Sequence, residues 1–127
     1  MLYGTGMDII EIQRFKHAGT KHPKLKERLF TPAELAYCQT KRDPWPHLAA
    51  RFAAKEAVIK VFGGRRRLSF REIEIGKEGP RPVIFLQGKA QALARKLGIN
   101  EWQVSITHSR DYAAAVVLAL TEDGKGD

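Results

Sequence analysis

The most apolar stretch of the chain lies at residues 47 to 62 and predicts a buried helix. It reads HLAARFAAKEAVIKVF and contains no glycine or proline. Apolar residues cover nearly its whole circumference, as is typical of a helix enclosed by a protein core. Four charged residues interrupt it, namely Arg51, Lys55, Glu56 and Lys60. An unpaired buried charge is costly, so each needs a counter-charge, a metal or a ligand, and three cations indicate an anion beside the helix.

Two further helices are predicted from their end signals. Thr31, Pro32 and Glu34 form the pattern of a capping box with proline at the first helical position, so a helix should run from there to about Thr40. The second of the two prolines in KRDPWP, Pro46, is suited to begin the central helix. Another helix is expected over Gly88–Leu97, where Gly98 ends it.

Alternating apolar and polar residues predict strands, and with the helices they predict an α+β fold in which helices pack on an antiparallel sheet. The predicted strands are Tyr3–Ile12, Phe70–Gly76, Pro82–Gln87, Trp102–Ser109 and Tyr112–Leu120. The short turns after the second and fourth strands indicate antiparallel hairpins. The last strand is apolar on both faces, so we expect it to be central in the sheet or covered on both sides.

Length and composition favour one domain over residues 1–120, with a frayed tail at 121–127. The chain has 127 residues, of which 43% are hydrophobic and 28% charged, as in ordinary globular proteins. No apolar run could span a bilayer, and no secretion signal begins the chain. The single cysteine, Cys38, cannot form an internal disulfide, which favours the cytoplasm and a small buried side chain.

A net charge of +8 favours an acidic partner, and much of this charge lies in one segment. Arg14–Arg28 contains six Lys or Arg residues against one Glu. Such a run is usually a solvated face, but it also suits docking of an acidic protein or contact with a phosphate backbone. Arg65–Arg67, in the turn after the central helix, could hold a phosphate or form an exposed basic loop.

Asp8, Glu56 and Lys60 are the candidate reactive residues. Asp8 shares a strand face with Ile10 and Ile12, although a carboxylate at a strand end is the ordinary alternative. Glu56 and Lys60 are four residues apart and occupy one helix face. Two carboxylates with substrate phosphate oxygens are a usual Mg²⁺ environment, and neighbouring cations suit phosphoryl chemistry. These residues predict a Mg²⁺-dependent enzyme acting on a phosphorylated substrate.

Four segments together resemble the holo-acyl-carrier-protein synthase family of small 4′-phosphopantetheinyl transferases. They are GTGMDIIEI, LFTPAELAYC, RFAAKEAVIKVFG and VSITHSRDYAAAVVLAL, and the likeness runs from Tyr3 to Leu120. The resemblance implies the fold of that family. It also implies transfer of 4′-phosphopantetheine from coenzyme A to a serine of apo-acyl carrier protein, which releases adenosine 3′,5′-bisphosphate. Family members of this size form trimers with sites between subunits.

The resemblance also implies roles for particular residues. Asp8 and Glu56 would hold Mg²⁺, Glu56 would act as general base, and Lys60 would neutralise charge on the transferred phosphate. The coenzyme A contacts would be Arg51, Lys60, His108 and Ser109. The acidic carrier would dock on the basic segment, through Arg14, Lys16, Lys21, Lys24 and Arg28. His108 should point towards the core or a pocket, because its strand face carries Val104 and Ile106.

Two departures from the family pattern limit this assignment. The family has a glycine-rich loop of small residues after the central helix, whereas this chain has GGRRRLSF. Our hypothesis is that Arg65–Arg67 grip the coenzyme A 3′-phosphate. The turn GPRP is one residue longer than the usual Gly-x-Pro, so no coenzyme contact is assigned to it. Lys55 has no role in this scheme and should serve a neighbouring subunit or a structural ion pair.

Two rival functions are less consistent with the residues. A basic nucleic-acid-binding module explains the charge and the Arg14–Arg28 segment, but not Glu56 in a buried helix or Asp8. It also lacks a recognition motif with interleaved aromatic residues. A non-catalytic subunit that only binds the carrier would not need the full set of acidic and basic residues.

Overall fold

The strands form two antiparallel sheets in the computed structural model, which describes residues 1–122. A three-stranded sheet has the order β1-β5-β4, with β1 at Leu2–Glu11, β4 at Ile99–His108 and β5 at Tyr112–Thr121. β2 (Ile73–Glu78) and β3 (Arg81–Leu86) form a separate hairpin. The predicted α+β class with antiparallel strands is confirmed, although the strands are divided between two sheets. β5 is central, which is the first of its two predicted alternatives.

Five helices accompany the sheets within the described part of the chain. They are α1 (Ile12–Lys21), α2 (Leu25–Leu29), α3 (Pro32–Gln39), α4 (Pro44–Val61) and α5 (Gly88–Lys96). α4 packs along β1 and β5. The predicted capping box of α3 is confirmed, because Thr31 Oγ1 accepts from the Glu34 amide and Glu34 Oε1 accepts from the Thr31 amide.

The basic segment, for which the sequence predicted no element, forms α1 and α2. Phe15 within the segment and Leu29 at the end of α2 are buried and anchor the two helices to the core. The helical pattern was hard to recognise because charged residues outnumber these anchors. Ile12 begins α1 instead of ending β1, so the predicted strand was one residue too long at that end.

Several other predicted boundaries were wrong by a few residues. α4 begins at Pro44 and not at Pro46, because Asp43 caps it by accepting a 3.1 Å hydrogen bond from the Trp45 amide. Residues 70–72 form a 3₁₀ turn before β2, and β4 begins at Ile99 and not at Trp102. β5 includes Thr121, the first residue of the predicted tail, which pairs with Ile99. Residues 123–127 of that tail lie outside the described residues.

The prediction of a buried central helix is confirmed, since 11 of the 18 residues of α4 are buried. Small residues allow the close packing of this helix. Alternate residues of β5, among them Ala113, Ala115 and Ala119, are buried on the face of the sheet that α4 covers. On β1, a Cβ atom at Gly6 would collide with the carbonyl oxygen of Ala57. β1 and α4 are therefore in backbone contact two residues before Asp8.

On the opposite face of the three-stranded sheet, β1 and β5 carry apolar residues that the described part of the chain leaves exposed. Met7 and Ile9 on β1 are 67% and 63% exposed, and Val116 on β5 is 36% exposed. No helix among residues 1–122 has the length and apolarity needed to cross a membrane.

Candidate active site

Asp8 extends from β1 towards α4, on the face that Gly6 and Ile10 share. Its Oδ1 accepts a 3.0 Å hydrogen bond from Lys60 Nζ, which also donates to the Met7 carbonyl oxygen at 2.8 Å. The Asp8 side chain is 16% exposed, whereas that of Lys60 is 54% exposed. Asp8 Oδ2 is buried and accepts no hydrogen bond from residues 1–122. A buried carboxylate oxygen without a donor is costly, so this atom is suited to a ligand.

Glu56 lies one turn before Lys60 on α4 and belongs to the same cluster. Its pKa is raised, first because burial disfavours the charged form and second because Asp8 places a negative charge nearby. Lys60 and Arg65 oppose this rise. The structure therefore brings together Asp8, Glu56 and Lys60, as predicted from distant parts of the sequence. No group of three or more His, Cys, Asp or Glu side chains that could hold a metal occurs in residues 1–122.

Arg51 occupies a separate cavity of about 420 Å³. Its side chain is almost entirely buried, and its guanidinium lies 4.6 Å from the centre of the Tyr37 ring. One terminal nitrogen donates to the His47 carbonyl oxygen at 3.2 Å, but Nε has no partner in the described chain. The cavity is also lined by Lys77 and by Glu34 and Glu74. Arg51 thus lines this cavity and has one buried donor without a partner among the described residues.

Tyr37 is the centre of a group of cations beside this cavity. Lys77 Nζ donates to the phenol oxygen at 3.2 Å, and Lys41 Nζ lies 4.8 Å from the ring centre. Lys77, followed by Lys41, lowers the pKa of Tyr37 because both cations favour the phenolate. Arg51, Tyr37 and Lys77 line the cavity together with the carboxylates of Glu34 and Glu74, whereas Lys41 is not among its lining residues.

Lys55 lies on the same helix face as Arg51, but it has a buried carboxylate of its own as partner. Its side chain is fully buried, and Nζ donates to Glu34 Oε1 at 2.6 Å. It also donates to the carbonyl oxygens of Leu29 and Phe70 at 2.7 and 3.1 Å. Burial lowers the pKa of Lys55, and the negative charge of Glu34 opposes this change. The structural ion pair, one of two roles predicted for Lys55, is therefore confirmed.

His108 and Ser109 are exposed at the end of β4. The prediction that His108 points into the core or a pocket was wrong, because it is the last residue of an edge strand. Its ring packs edge-on against His47 of α4, with the ring centres 5.2 Å apart. Burial and, second, the proximity of His108 lower the pKa of His47. Ser109 holds the turn before β5, where its amide donates to the Tyr112 carbonyl oxygen at 2.8 Å.

Arg65 and the five predicted docking residues are on the surface. Arg65 lies near Glu56, and its guanidinium stacks on the Phe70 ring at 4.7 Å while Nε donates to the Leu68 carbonyl oxygen at 3.1 Å. The five residues predicted to dock a carrier are exposed on or beside α1 and α2; they are Arg14, Lys16, Lys21, Lys24 and Arg28.

The family of the chain is shown by comparison with known proteins. A family model described as the 4′-phosphopantetheinyl transferase superfamily matches residues 4–117. This chain belongs to that superfamily. The resemblance found in the four sequence segments is therefore confirmed over nearly the whole chain.

Individual members of the superfamily show the same likeness. The chain is 50% identical to a holo-[acyl-carrier-protein] synthase of Moorella thermoacetica, and the alignment covers 94% of this chain and 97% of that protein. The crystal structure of such a synthase from Neisseria meningitidis is 34% identical with a TM-score of 0.85, covering 95% and 100% of the two chains. A Helicobacter pylori synthase solved in complex with coenzyme A is 29% identical with a TM-score of 0.78, covering 92% and 100%.

Sequence reasoning missed Tyr37, Lys77 and the second role of Glu34. Tyr37 and Lys77 are forty positions apart and meet only when the β2–β3 hairpin packs beside α3. Glu34 was identified as a capping residue, which it is, but its carboxylate also accepts from Lys55 and from the Ile75 amide. The only available signal was the unpaired Lys55 inside an apolar helix, which required a buried carboxylate somewhere in the chain.

Proposed function

We propose that this chain transfers 4′-phosphopantetheine from coenzyme A to a serine of apo-acyl carrier protein. The products are the holo-carrier and adenosine 3′,5′-bisphosphate. The observation that carries the proposal is the cluster of Asp8, Glu56 and Lys60 between β1 and α4, in a chain of this superfamily. Its relative from Moorella thermoacetica bears the name of that activity.

Asp8 and Glu56 are suited to hold Mg²⁺. The buried Asp8 Oδ2 has no donor among the described residues, and burial, followed by the nearby charge of Asp8, raises the pKa of Glu56. Two carboxylates are a usual protein contribution to a Mg²⁺ site, since this ion keeps waters and takes substrate phosphate oxygens as further ligands. When bound, the metal would orient the pyrophosphate of coenzyme A and neutralise part of its charge.

Glu56 is proposed as the general base. Its carboxylate accepts the proton of the carrier serine, directly or through a water. The serine oxygen forms a bond to the phosphorus that carries pantetheine. The bond between that phosphorus and the bridging oxygen breaks, and the oxygen leaves with the adenosine bisphosphate.

Lys60 is proposed to neutralise charge on the transferred phosphate. Its side chain is half exposed while it donates to Asp8 and to the Met7 carbonyl oxygen, so its ammonium group is accessible to a substrate. A fixed cation beside the transferring phosphorus stabilises the charge that develops there, which is the usual contribution of lysine in phosphoryl transfer.

The coenzyme is proposed to contact two sets of cations. Arg65, near Glu56, would bind the pyrophosphate, and Arg51 would use its unpaired Nε for a second phosphate. Tyr37 and Lys77 would support Arg51, because they line the same cavity. His108, whose ring packs against His47, and Ser109 are exposed and would complete the coenzyme site.

A homotrimer with sites between subunits is the proposed assembly. Exposed Met7, Ile9 and Val116 form an apolar face on the sheet that carries Asp8, and a second copy of the chain is a suitable cover for it. Exposed His108 and Ser109 could then act with the cluster of a neighbouring subunit. We place the reaction in the cytoplasm, because the free and buried Cys38 is typical of a reducing compartment.

The acidic carrier is proposed to dock on α1 and α2 through Arg14, Lys16, Lys21, Lys24 and Arg28. Their exposure supports this role, and surface cations of this kind accelerate association with an acidic protein. The nucleic-acid-binding alternative is not favoured, because the relatives reported above are named as synthases that act on the acyl carrier protein.

Removing either carboxylate tests the catalytic assignment. Asp8→Asn and Glu56→Gln should lower kcat for carrier modification by about a hundredfold or more, since each removes a metal ligand and Glu56→Gln also removes the base. Both variants should weaken Mn²⁺ binding measured by electron paramagnetic resonance. Glu101→Gln, which alters an exposed carboxylate on β4, is the matched control. Near-normal activity of Glu56→Gln would contradict both of its roles.

A further inference from the structure

A basic groove runs between α2 and the segment from Arg65 to Arg71. Its volume is about 790 Å³. Five cations line it against one carboxylate, that of Glu27; they are Lys24, Arg28, Arg65, Arg67 and Arg71. Helix α2 supplies one wall, and the turn after α4 with the 3₁₀ segment supplies the other. The two most basic parts of the sequence therefore meet across one depression, although they are forty residues apart.

The arginines on the wall opposite α2, namely Arg65, Arg67 and Arg71, form no ion pair within the described chain. The two ion pairs found among residues 1–122 join Lys55 to Glu34 and Lys60 to Asp8, so neither involves the groove. Arg67 and Arg71 are exposed, and their guanidinium groups make no hydrogen bond to other described residues. Arg65 differs, because Phe70 and the Leu68 carbonyl oxygen hold it beside Glu56.

The groove connects the proposed docking helices to the catalytic cluster. Lys24 and Arg28 also line a neighbouring depression of about 570 Å³ together with Lys21. At the other end Arg65 lies just after the C-terminal end of α4, the helix that carries Glu56 and Lys60. A partner that covers α2 and enters this groove therefore meets Arg67 and Arg71 on its opposite wall.

We propose that Arg67 and Arg71 form a second wall of the carrier-docking surface and bind carboxylates of the acidic carrier protein near the modified serine. This inference rests on the proposed function. Charge complementarity supports it, since five cations face an acidic protein that approaches Glu56. It extends the docking surface beyond α1 and α2 and assigns a partner to a part of the chain that departs from the family pattern.

Coenzyme A is the competing occupant, because the sequence hypothesis assigned Arg65–Arg67 to its 3′-phosphate. The cavity of Arg51, Tyr37 and Lys77 offers a more enclosed phosphate site, with a buried donor that has no partner in the described chain. That cavity and the groove share no lining residue. The exposed Arg67 and Arg71 are better suited to binding a large acidic surface than to holding one phosphate in a fixed position.

The test compares Michaelis constants of the full-length protein for apo-carrier and for coenzyme A. The variant Arg67→Asn/Arg71→Gln removes two charges, and asparagine tolerates the left-handed backbone of residue 67 (φ 62°). The control Arg95→Gln/Lys96→Gln removes two exposed cations from α5, outside the groove. Thermal denaturation of all three proteins checks folding, and Arg71→Gln alone replaces the double variant if the latter melts early.

The variant should raise KM for the carrier about threefold to tenfold, with less than about a twofold change in KM for coenzyme A. The effect should shrink at high salt, because exposed charges are screened. An unchanged KM for the carrier, or an increase confined to coenzyme A, would overturn the proposal. Absence of transfer by the wild-type protein would contradict the proposed function itself, whereas normal transfer with no effect of the variant overturns the groove assignment alone.

Discussion

The buried pair of Lys55 and Glu34 shows how one residue can require another far away in sequence. The ammonium group of Lys55 has three acceptors, and the Glu34 carboxylate also accepts from the amides of Thr31 and Ile75. Both partners are fully buried, so their charges are compensated only by these bonds. The network joins α4 to the start of α3 and to β2. Its lysine, Lys55, immediately precedes Glu56 in the sequence.

Breaking this pair should destabilise the protein strongly. Lys55→Met leaves the Glu34 carboxylate buried without its cation, which should lower the free energy of unfolding by about 3–5 kcal/mol in chemical denaturation. The double variant Lys55→Met/Glu34→Gln should lose less stability than the sum of the two single variants, because it leaves no unpaired charge, whereas each single variant leaves one. Lys96→Met, on the exposed face of α5, should change stability little. A loss below about 1 kcal/mol for Lys55→Met would refute the assigned role.

At the scale of elements, α4 was predictable because its own residues determine its environment. A run apolar on nearly all sides must be enclosed, and the capping box of α3 is likewise a local signal. Local chemistry also explains the errors. Asp43 was overlooked as a cap, so α4 was started too late, and α1 and α2 were missed because tertiary contacts of Phe15 and Leu29 stabilise them.

The contact between β1 and α4 positions the catalytic cluster. Gly6→Ala should cost about 1–3 kcal/mol of stability, because a methyl group there would collide with the Ala57 carbonyl oxygen and separate the two elements. The same shift would move Asp8 away from Glu56. The transfer rate of the folded variant should therefore fall as well, beyond what the loss of folded protein explains. Kinetics and denaturation measured on the same samples give both effects.

Gly4→Ala is the matched control for this prediction. It lies on the same strand, and its added methyl group would meet only Val61 Cγ1 at an ordinary 3.8 Å. Its stability and activity should stay close to those of the wild-type protein. Equal behaviour of the two variants would contradict the claim that backbone contact at Gly6 positions Asp8.

At the scale of the whole molecule, the exposed apolar residues of the sheet and the exposed His108 are the features on which the proposed trimer rests. Helical spacing predicted that Glu56 and Lys60 share one face of α4, but the family resemblance was needed to place Asp8 beside them. Tyr37 and Lys77 could not be predicted in this way, because their contact depends on how the β2–β3 hairpin packs. Residues that act across subunits are still harder to infer from the sequence of one chain.

The proposed trimer predicts the effect of a charge on the uncovered face. Ile9→Lys should dissociate the assembly, since it would bury a lysine in an apolar interface. Light scattering coupled to gel filtration should give three times the 14.3 kDa chain mass for the wild-type protein and the single-chain mass for the variant. Ala92→Lys, on the exposed side of α5, should remain trimeric. A monomeric wild-type protein would contradict the assembly.

The intact mass of an apo-acyl carrier protein after incubation with this protein, coenzyme A and Mg²⁺ tests the central claim most directly. The carrier should gain the mass of one phosphopantetheine group, and adenosine 3′,5′-bisphosphate should appear in equal amount. A carrier whose acceptor serine is replaced by alanine should gain nothing. If several apo-carriers with intact serines kept their original mass under these conditions, the assignment of the Asp8, Glu56 and Lys60 cluster to phosphopantetheine transfer would be wrong.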